Sequence, residues 1–428
     1  MLNKRSLLLL ALLALAALLA ACAPATPAAT EEAAPEETEA PPEETEAPPE
    51  EMAEPEECTA DMYGCVVVAP GETIKIGFAG PLTGDNSNYG IDMSQGGLLA
   101  IEDAGEFEGH AFELIAEDDQ GSPEGGAAVA NRFVSRGDIV AVAGHAFSGA
   151  TNAAIPIYEE VGIPMMSPSA TNPNLTRLGS AVFNRVAFSD ADQGPVDAEF
   201  LYNELGFTKL AVIHDGQTYG QGLAEQVRDT FVELGGEVTA FEAITPGESD
   251  YSAVLTAISA NPPEAIFFGG YAPEAAVIVN GMAVAGLSDV VFLSDDGTFG
   301  TTFIDLAGDN AEGTYSSAAA TPPESDLKAE FDARYEETYG VASGVLSGFT
   351  WFGYDAVAVL IEAIKSVAIV GDDGTLYIPR GALVEAVRAT SGFEGVTGTI
   401  VCDEFGECAA TGIGVFQVQD GTWVQVYP

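Results

Sequence analysis

The chain has 428 residues, of which 66 are acidic and 14 are basic, so its formal net charge at pH 7 is −52. A surface this acidic argues against nucleic acid and anionic lipid as partners, because both carry charges of the same sign. The roughly 370 residues that follow position 57 exceed what one hydrophobic core usually supports, so we expect two lobes.

The N-terminus has the pattern of an export signal with a lipid attachment site. Lys4 and Arg5 precede an apolar run at 7–19, and Cys22 follows small residues. The run is too short to span a bilayer by itself and is typical of a cleaved signal peptide over 1–21. Cys22 resembles a lipoprotein acylation site, and acyl chains would hold the mature protein at a membrane outside the cytoplasm, in the periplasm or at the cell surface. An ordinary secretory signal with an unrelated cysteine is the alternative.

Residues 22–57 are expected to form a tether. The stretch 23–57 consists of small residues, Pro, Thr and Glu apart from Met52, and the heptapeptide EETEAPP occurs in it twice. Such a composition cannot bury enough apolar surface to offset the entropy of ordering. Prolines and like charges favour an extended chain, so we predict a disordered Glu/Pro-rich spacer.

The other four cysteines form two close pairs in the sequence. Because an exported chain meets an oxidising compartment, we expect the disulfides Cys58–Cys65 and Cys402–Cys408. The second disulfide is expected to close a β-hairpin that turns at 404–406. A zinc site made by the four thiolates is the alternative, although neither spacing is that of a zinc knuckle.

From residue 74 onwards, short apolar runs alternate with longer amphipathic ones. The apolar runs predict strands at 74–79, 111–116, 139–143, 163–166, 182–186, 209–213, 237–242, 265–268, 290–293 and 314–319. The amphipathic runs predict helices at 92–104, 124–136, 148–160, 194–205, 220–234, 250–260, 273–285 and 325–338. Strands that are apolar throughout and separated by helices indicate parallel sheets covered on both faces. We therefore predict an α/β protein with two doubly wound parallel-sheet lobes.

The C-terminal hundred residues depart from this alternation. Helices are predicted at 345–368 and 380–390 in succession, and a glycine-punctuated β region follows at 397–427. A terminal hairpin cannot extend a series of strand–helix units, so we expect it to pack back against an earlier lobe.

The loops that follow the strands are the candidate site, because doubly wound sheets bind ligands beyond the carboxyl ends of their strands. Their sequences are GPLTGDNSNYG (80–90), GHAFSGAT (144–151), SPSATNPNLT (167–176), HDGQTYGQGLA (214–224), GGYAPE (269–274) and SDDGTFG (294–300). They present the polar and aromatic residues Tyr89, Ser148, Thr171, Tyr219, Tyr271, Asp295 and Asp296. Ser148 begins a predicted helix, and its hydroxyl together with the free N–H groups there suits a carboxylate.

In this order and spacing, these segments resemble the leucine/isoleucine/valine-binding proteins of ABC transporters, from about Ile74 to the C-terminus. The resemblance implies a type I periplasmic-binding fold, with three crossovers joining two lobes around a cleft that closes on the ligand. The implied lobes are 70–190 plus 320–397 and 191–319 plus 398–428. The implied function is that of a monomer that captures a neutral, branched-chain-like amino acid for a membrane permease. Catalysis, a cofactor and a metal are not expected.

The resemblance also implies roles for individual residues. Ser148 and Thr171 correspond to the contacts with the ligand's carboxylate and ammonium groups, and Ser169 corresponds to a position that contributes a backbone carbonyl. Tyr219 and Asp296 correspond to the ammonium side. The side-chain pocket or lid is implied to hold Tyr89, Tyr271 and Phe349. An amino-acid zwitterion needs hydroxyl and N–H donors at one end and a carboxylate with an aromatic face at the other, which agrees with these roles.

The sequence departs from the family pattern at three positions. Gly121 and Phe147 stand where the branched-chain binders have a disulfide, and Phe147 adds a ring beside the expected pocket. Asp296 stands where those proteins have Glu, which shortens the reach by one methylene. The matched positions hold neither Arg nor Lys, so a second ligand carboxylate would lack a bidentate partner and a neutral side chain is favoured.

Alternatives remain open for the ligand, the function and several residues. The cleft could take an amide, a urea or an aromatic acid, or could serve a sensory receptor, and a hydrolase with Asp295 and Asp296 as paired carboxylates is a distant third. Aromatic residues of the loops could be core residues. Residues interpreted as turn, hinge, cap or loop-packing positions are Asp118, Asp119, His145, Asp190, Asp192, Gln193, His214 and Asp295.

Overall fold

The computed structural model describes residues 54–428, and the expected signal peptide, Cys22 and most of the tether lie outside the described residues. The strands are β1 Cys65–Val68, β2 Ile74–Gly80, β3 Glu106–Phe107, β4 His110–Asp118, β5 Ile139–Gly144, β6 Met165–Ser167, β7 Phe183–Arg185, β8 Lys209–His214, β9 Glu237–Ala243, β10 Ala265–Gly269, β11 Val291–Ser294, β12 Tyr315–Ala319, β13 Ile369–Val370, β14 Leu376–Pro379, β15 Ser391–Gly395, β16 Gly398–Val401, β17 Ile413–Gln419 and β18 Thr422–Tyr427.

The α-helices separate most of these strands, as the alternation predicts. They are α1 Glu56–Ala60, α2 Ser87–Ala104, α3 Pro123–Arg136, α4 Ser148–Val161, α5 Asn174–Arg177, α6 Asp190–Glu199, α7 Thr218–Glu233, α8 Ser252–Ser259, α9 Ala272–Met282, α10 Thr301–Ala307, α11 Asp326–Tyr339, α12 Thr350–Val367 and α13 Arg380–Arg388. Helix α6 continues into a π-helical turn at Phe200–Glu204. No helix in the described range 54–428 is long and apolar enough to cross a bilayer.

Two large sheets carry the fold. The first has the strand order β3-β4-β2-β5-β6-β7 and is parallel except for the antiparallel pair β3–β4. The second has the order β18-β17-β12-β11-β10-β8-β9, with a parallel core from β12 to β9. Successive side chains of a strand point to opposite faces, so the buried strands β2, β5, β8 and β10 each feed two separate hydrophobic cores.

Each sheet contains a point where the strand order reverses. In the first sheet the chain runs from β2 outward to β4 and then returns to β5 on the other side of β2. In the second sheet it runs from β8 outward to β9 and returns to β10 on the other side of β8. The loops after the two central strands of each reversal therefore diverge and leave a crevice at the carboxyl edge of the sheet.

The chain passes between the two sheets three times, at 186–189, 320–325 and 402–412. After the second passage α11 and α12 return to pack on α2, and the Tyr335 hydroxyl donates to the buried Asp92 carboxylate at 2.7 Å. After the third passage β17 and β18 add antiparallel to the edge strand β12. The expectation that the terminal hairpin packs against an earlier lobe is confirmed.

Strands β1, β13 and β14 were not predicted. They form a small antiparallel sheet in which Cys65–Val68 pairs with Leu376–Pro379. The Asp61 carboxylate accepts from the N–H groups of Gly381 and Ala382 at the start of α13, so the segment before β2 is attached to the folded part. Strand β1 pairs with β14 across more than three hundred residues, and β13 has only two residues, so the local sequence gives little signal for them.

Both expected disulfides are present, with S–S distances of 2.00 Å for Cys58–Cys65 and 2.04 Å for Cys402–Cys408. The expected β-hairpin around the second disulfide is wrong. Residues 402–408 form a loop that pairs with β7, because Arg185 N–H donates to the Gly406 carbonyl and Cys408 N–H donates to the Arg185 carbonyl, both at 2.9 Å.

Arg185 is the centre of this junction. Its guanidinium is completely buried and donates to the Glu407 carboxylate at 2.6 and 2.5 Å. The same guanidinium donates to the carbonyls of Ala170 at 3.0 Å and Asn172 at 2.9 Å. The disulfide loop thus supplies the counter-ion of an arginine that holds the loop after β6, which contains Ser169 and Thr171.

Replacing Glu407 with Gln should lower the free energy of unfolding by about 2 kcal/mol. The reason is that the buried guanidinium loses its counter-ion, and the partial exposure of Glu407 moderates the cost. Chemical denaturation measures the change. Glu362→Gln, which breaks the exposed Lys365–Glu362 pair, is the matched control and should change stability by less than about 0.5 kcal/mol. Equal effects of the two substitutions would contradict the assigned role of Arg185.

Helices α2 and α12 cross in backbone contact. A Cβ atom at Gly353 would lie 2.2 Å from the Met93 carbonyl oxygen, and one at Gly96 would lie 2.4 Å from the Thr350 carbonyl oxygen. Only glycine permits this approach, because the atoms that block a side chain belong to the backbone.

Gly353→Ala should therefore destabilise the protein by about 2–3 kcal/mol in chemical denaturation, as expected for an overpacked helix contact. Gly412→Ala is the control, since no atom lies within 4 Å of a Cβ at that position, and it should change stability by less than about 0.5 kcal/mol. An unchanged denaturation midpoint for Gly353→Ala would show that the helices can separate without cost.

Candidate ligand-binding site

The loops at the carboxyl edges of the two sheets enclose a small space of about 240 Å³, its mouth included. Its walls are Tyr89, Phe147, Ser148, Ser169, Tyr219, Tyr271, Asp296, Gly297 and Phe349. Eight of these nine were candidate site residues in the sequence, and the ninth, Gly297, was not. The structure therefore brings together loops that are separated by up to 260 residues of chain.

The first sheet supplies the hydroxyl-rich wall. Strand β5 ends at Gly144, and Ser148 is the first residue of α4, so the unpaired N–H groups of the first helical turn lie beside its hydroxyl. The Ser148 oxygen accepts from the Asn172 N–H at 3.3 Å. The Ser169 hydroxyl donates to the Ala146 carbonyl at 2.8 Å, which ties the loop after β6 to the loop after β5.

Thr171 lies next to this wall and does not line the space. Its side chain is fully buried, and its hydroxyl oxygen has no hydrogen-bond partner among residues 54–428. Its carbonyl accepts from the Asp190 N–H at 3.0 Å, so the loop after β6 is connected to the first passage between the sheets.

The second sheet supplies the acidic wall. Tyr219 is in the first turn of α7, after β8, and its hydroxyl donates to Asp296 Oδ1 at 2.6 Å. Asp296 follows β11, and its carbonyl accepts from the Tyr89 hydroxyl at 3.1 Å. Tyr89 follows β2 of the first sheet, so this hydrogen bond joins the two walls directly.

Burial controls the charge of the acidic wall. Removal from water raises the pKa of Asp296 to about 6, and the hydrogen bond from Tyr219 opposes that rise. Burial and then the charge of Asp296 raise the pKa of Asp295 well above its usual range. Asp295 accepts from the N–H groups of Gly270 at 2.9 Å and Gly297 at 3.1 Å. Asp295 thus joins two loops behind the wall, as expected for a turn residue, and Asp296 faces the space.

Four rings form the rest of the wall. Phe147 stacks on Tyr271 with ring centroids 4.5 Å apart, and Tyr89 meets both rings edge-on at 5.7 and 6.4 Å. Phe349 immediately precedes α12 and stacks on Phe188 at 6.1 Å. Tyr271 immediately precedes α9.

Sequence reasoning underrated the acidic helix α6. Both carboxylate oxygens of Asp190 are buried without a hydrogen-bond partner among the described residues, and burial followed by the charge of Asp296 raises the pKa of Asp190 well above its usual range. Gln193 donates to the Ser317 hydroxyl at 2.9 Å, whereas Asp192 is exposed. The spacing of Asp190, Gln193 and Asp197 places the three on one helix face, and all three are buried. That spacing was the available signal, and acidic residues are seldom fully buried without a reason.

His145 and the acidic turn at Asp118 and Asp119 pack as loop residues. His145 is fully buried between Asp119 Oδ2 at 2.7 Å and the Tyr158 hydroxyl at 3.1 Å. Asp118 accepts from the Leu82 N–H at 2.9 Å and from the Gln120 N–H at 2.9 Å, and so orders the start of the loop after β2. Within residues 54–428 no three His, Cys, Asp or Glu side chains are grouped so that they could hold a metal ion.

Known proteins share this arrangement. The family profile described as periplasmic binding protein matches residues 73–422. The chain is 32% identical over 343 residues to the leucine-, isoleucine-, valine-, threonine- and alanine-binding protein of Pseudomonas aeruginosa, covering 78% of this chain and 87% of that protein.

Solved structures agree with the sequence comparisons. The leucine-binding protein LivK of Thermotoga maritima has a TM-score of 0.75 at 30% identity, covering 83% of this chain and 98% of that one. The branched-chain amino acid transporter substrate-binding protein LivJ of Streptococcus pneumoniae, solved with isoleucine, has a TM-score of 0.73 at 28% identity, covering 83% of this chain and all of that one. The two sheets, their three connections and the cleft between them are those of a type I periplasmic-binding fold, and the chain belongs to the periplasmic binding protein family.

Proposed function

We propose that this protein is the extracytoplasmic solute-binding component of an ABC importer and that it captures a neutral α-amino acid in the cleft. The observation that carries the proposal is the pairing of two opposite walls around one space. Ser148 at a helix start lies on one side, and the buried Asp296 with Tyr219 lies on the other. The carboxylate of an amino-acid zwitterion suits the wall at Ser148, and its ammonium group suits the wall at Asp296.

The absence of cationic side chains from the wall supports a neutral ligand side chain. None of the residues that border the space is Arg or Lys, so a second carboxylate on the ligand would be desolvated without a partner. One relative is a leucine-, isoleucine-, valine-, threonine- and alanine-binding protein and another was solved with isoleucine, and we extend that class of ligand to this chain.

We propose that the lobes are 70–190 plus 320–397 and 191–319 plus 398–428, that they close on the ligand, and that the closed monomer docks on a membrane permease. The proposed lipid anchor is Cys22, and the acidic tether would let the lobes reach the permease. The protein would bind and release its ligand without chemical change, as a solute-binding protein does.

Calorimetry on the full chain, stripped of any bound solute, tests the ligand class. Alanine, serine, valine, leucine and isoleucine form the panel, with glutamate, acetamide, urea and benzoate as the competing chemistries. We expect heat from neutral amino acids only. Binding of acetamide, urea or benzoate without any α-amino acid would overturn the ligand proposal and leave the fold unaffected.

Two substitutions test the two walls. Ser148→Ala should weaken binding of a neutral amino acid about tenfold, since one hydroxyl is lost. Asp296→Asn should weaken it about a hundredfold or more, because the ligand ammonium would be buried without a counter-charge. Asp305→Asn is the matched control for the loss of one exposed carboxylate and should leave affinity unchanged.

The pH dependence of binding gives an independent check. In the empty cleft Asp296 has a raised pKa of about 6, and an ammonium ligand requires the ionised carboxylate. Binding must therefore release a proton below that pH, and affinity should fall by up to about tenfold per pH unit there while staying constant near pH 7 to 8. Dissociation constants across this range should lose the step near pH 6 in Asp296→Asn. A wild-type affinity that does not change down to about pH 5 would contradict the role of Asp296.

A further inference from the structure

The apolar side of the cleft is filled by rings from both sheets. Phe147 is only 7% exposed and lies between Tyr271, which it stacks on, and Tyr89, which meets it edge-on. Tyr89 and Tyr271 also meet each other, with centroids 6.4 Å apart. Three mutually contacting rings thus fill the apolar side of the cleft, so a ligand whose charged groups meet the polar wall would turn its side chain towards them.

The ring of Phe147 also contacts the backbone of a neighbouring loop. It lies against Gly121, where a Cβ atom would be 2.6 Å from Phe147 Cδ2 and where φ is +64°. The backbone on either side of the ring is also held, since Ala146 N–H donates to the Ala79 carbonyl at 3.1 Å and Thr151 N–H donates to the Phe147 carbonyl at 2.9 Å. The ring therefore rests on the backbone of one loop and projects to the opposite wall.

The space that remains is small. The room that it leaves for the centre of a water molecule is about 10 Å³, which is about enough for one water, so even a short ligand side chain must push the rings apart. Its polar wall, formed by Ser148, Ser169, Tyr219 and Asp296, matches the charged groups that every α-amino acid has in common. Each additional methylene on the ligand would have to displace a ring that is packed against Tyr271, Tyr89 and the Gly121 backbone, and such crowding is costly.

We propose that Phe147 is a specificity-determining residue that limits the ligand to an α-amino acid with a short side chain. Glycine, alanine and serine fit this class, and leucine and isoleucine are selected against. The inference rests on the proposed function and narrows it. The discrimination between ligands comes from the volume that Phe147 occupies. Ser148, Ser169 and Asp296 would contact the amino and carboxylate groups, which are the same in all these ligands.

The test is calorimetric titration of alanine and leucine into the wild-type full chain and into Phe147→Ala. The wild type should bind alanine at least about tenfold more tightly than leucine, which corresponds to about 1.4 kcal/mol. Phe147→Ala should shift the ratio of the two affinities at least about tenfold towards leucine. Phe147→Leu, which keeps part of the bulk, should lie between the two.

Phe303→Ala is the matched control. It removes an equally large buried ring that stacks on Phe292 in the core of the second sheet, away from the cleft. It should lower the melting temperature without changing the ratio of the alanine and leucine affinities, because partial unfolding weakens both in proportion.

Each outcome separates this inference from the function on which it rests. A wild type that binds leucine as tightly as alanine overturns the size limit and leaves amino-acid capture intact. A preference for alanine that persists in Phe147→Ala overturns the assignment to Phe147. A wild type that binds no α-amino acid overturns the proposed function, and the size limit with it.

Discussion

The site depends on a carboxylate that is buried without a cationic partner. Asp296 is removed from water between two sheets, and the hydrogen bond from the Tyr219 hydroxyl is the largest of the interactions that favour its charged form. A carboxyl group in that position must take up a proton or meet a cation. In the empty cleft, burial raises the pKa of the Asp296 carboxyl group. An ammonium group of the ligand beside it would favour the ionised carboxylate again. Under the proposed function, the same burial favours a ligand with a cationic group and makes its binding depend on pH.

The rest of the fold brings the side chains that surround Asp296 together in the cleft. Both sheets reverse their strand order at a central strand, so Tyr89 and Phe147 from one sheet face Tyr219 and Tyr271 from the other. Arg185 adds a second level of control, because it joins the Cys402–Cys408 loop to the carbonyls of the loop that carries Ser169. The third passage between the sheets thus supports the ligand wall as well as connecting the lobes.

The predictions from sequence were correct where a short stretch of residues reflects how that stretch is packed. The strands at 139–143 and 265–268 are apolar on both faces because helices cover both faces, and the predicted bounds agree with β5 and β10. The disulfide pairing followed from short loops in an exported chain. The predicted hairpin around Cys402–Cys408 was wrong, because a loop that pairs with β7 has the same sequence pattern as a hairpin turn. The burial of Asp190 was not predicted either, because it arises only when α6 packs between the sheets.

The sequence by itself determined the fold class, because apolar periodicity and post-strand loops are local properties of the chain, and its resemblance to the branched-chain binders indicated the family and the residues expected at the cleft. The tertiary structure alone decided how those residues share the space. It left Thr171 beside the wall, placed Gly297 on it, and set the ring of Phe147 on Gly121 and against Tyr271. Volume and charge inside a cleft depend on contacts between distant segments, and no single segment of the chain encodes them.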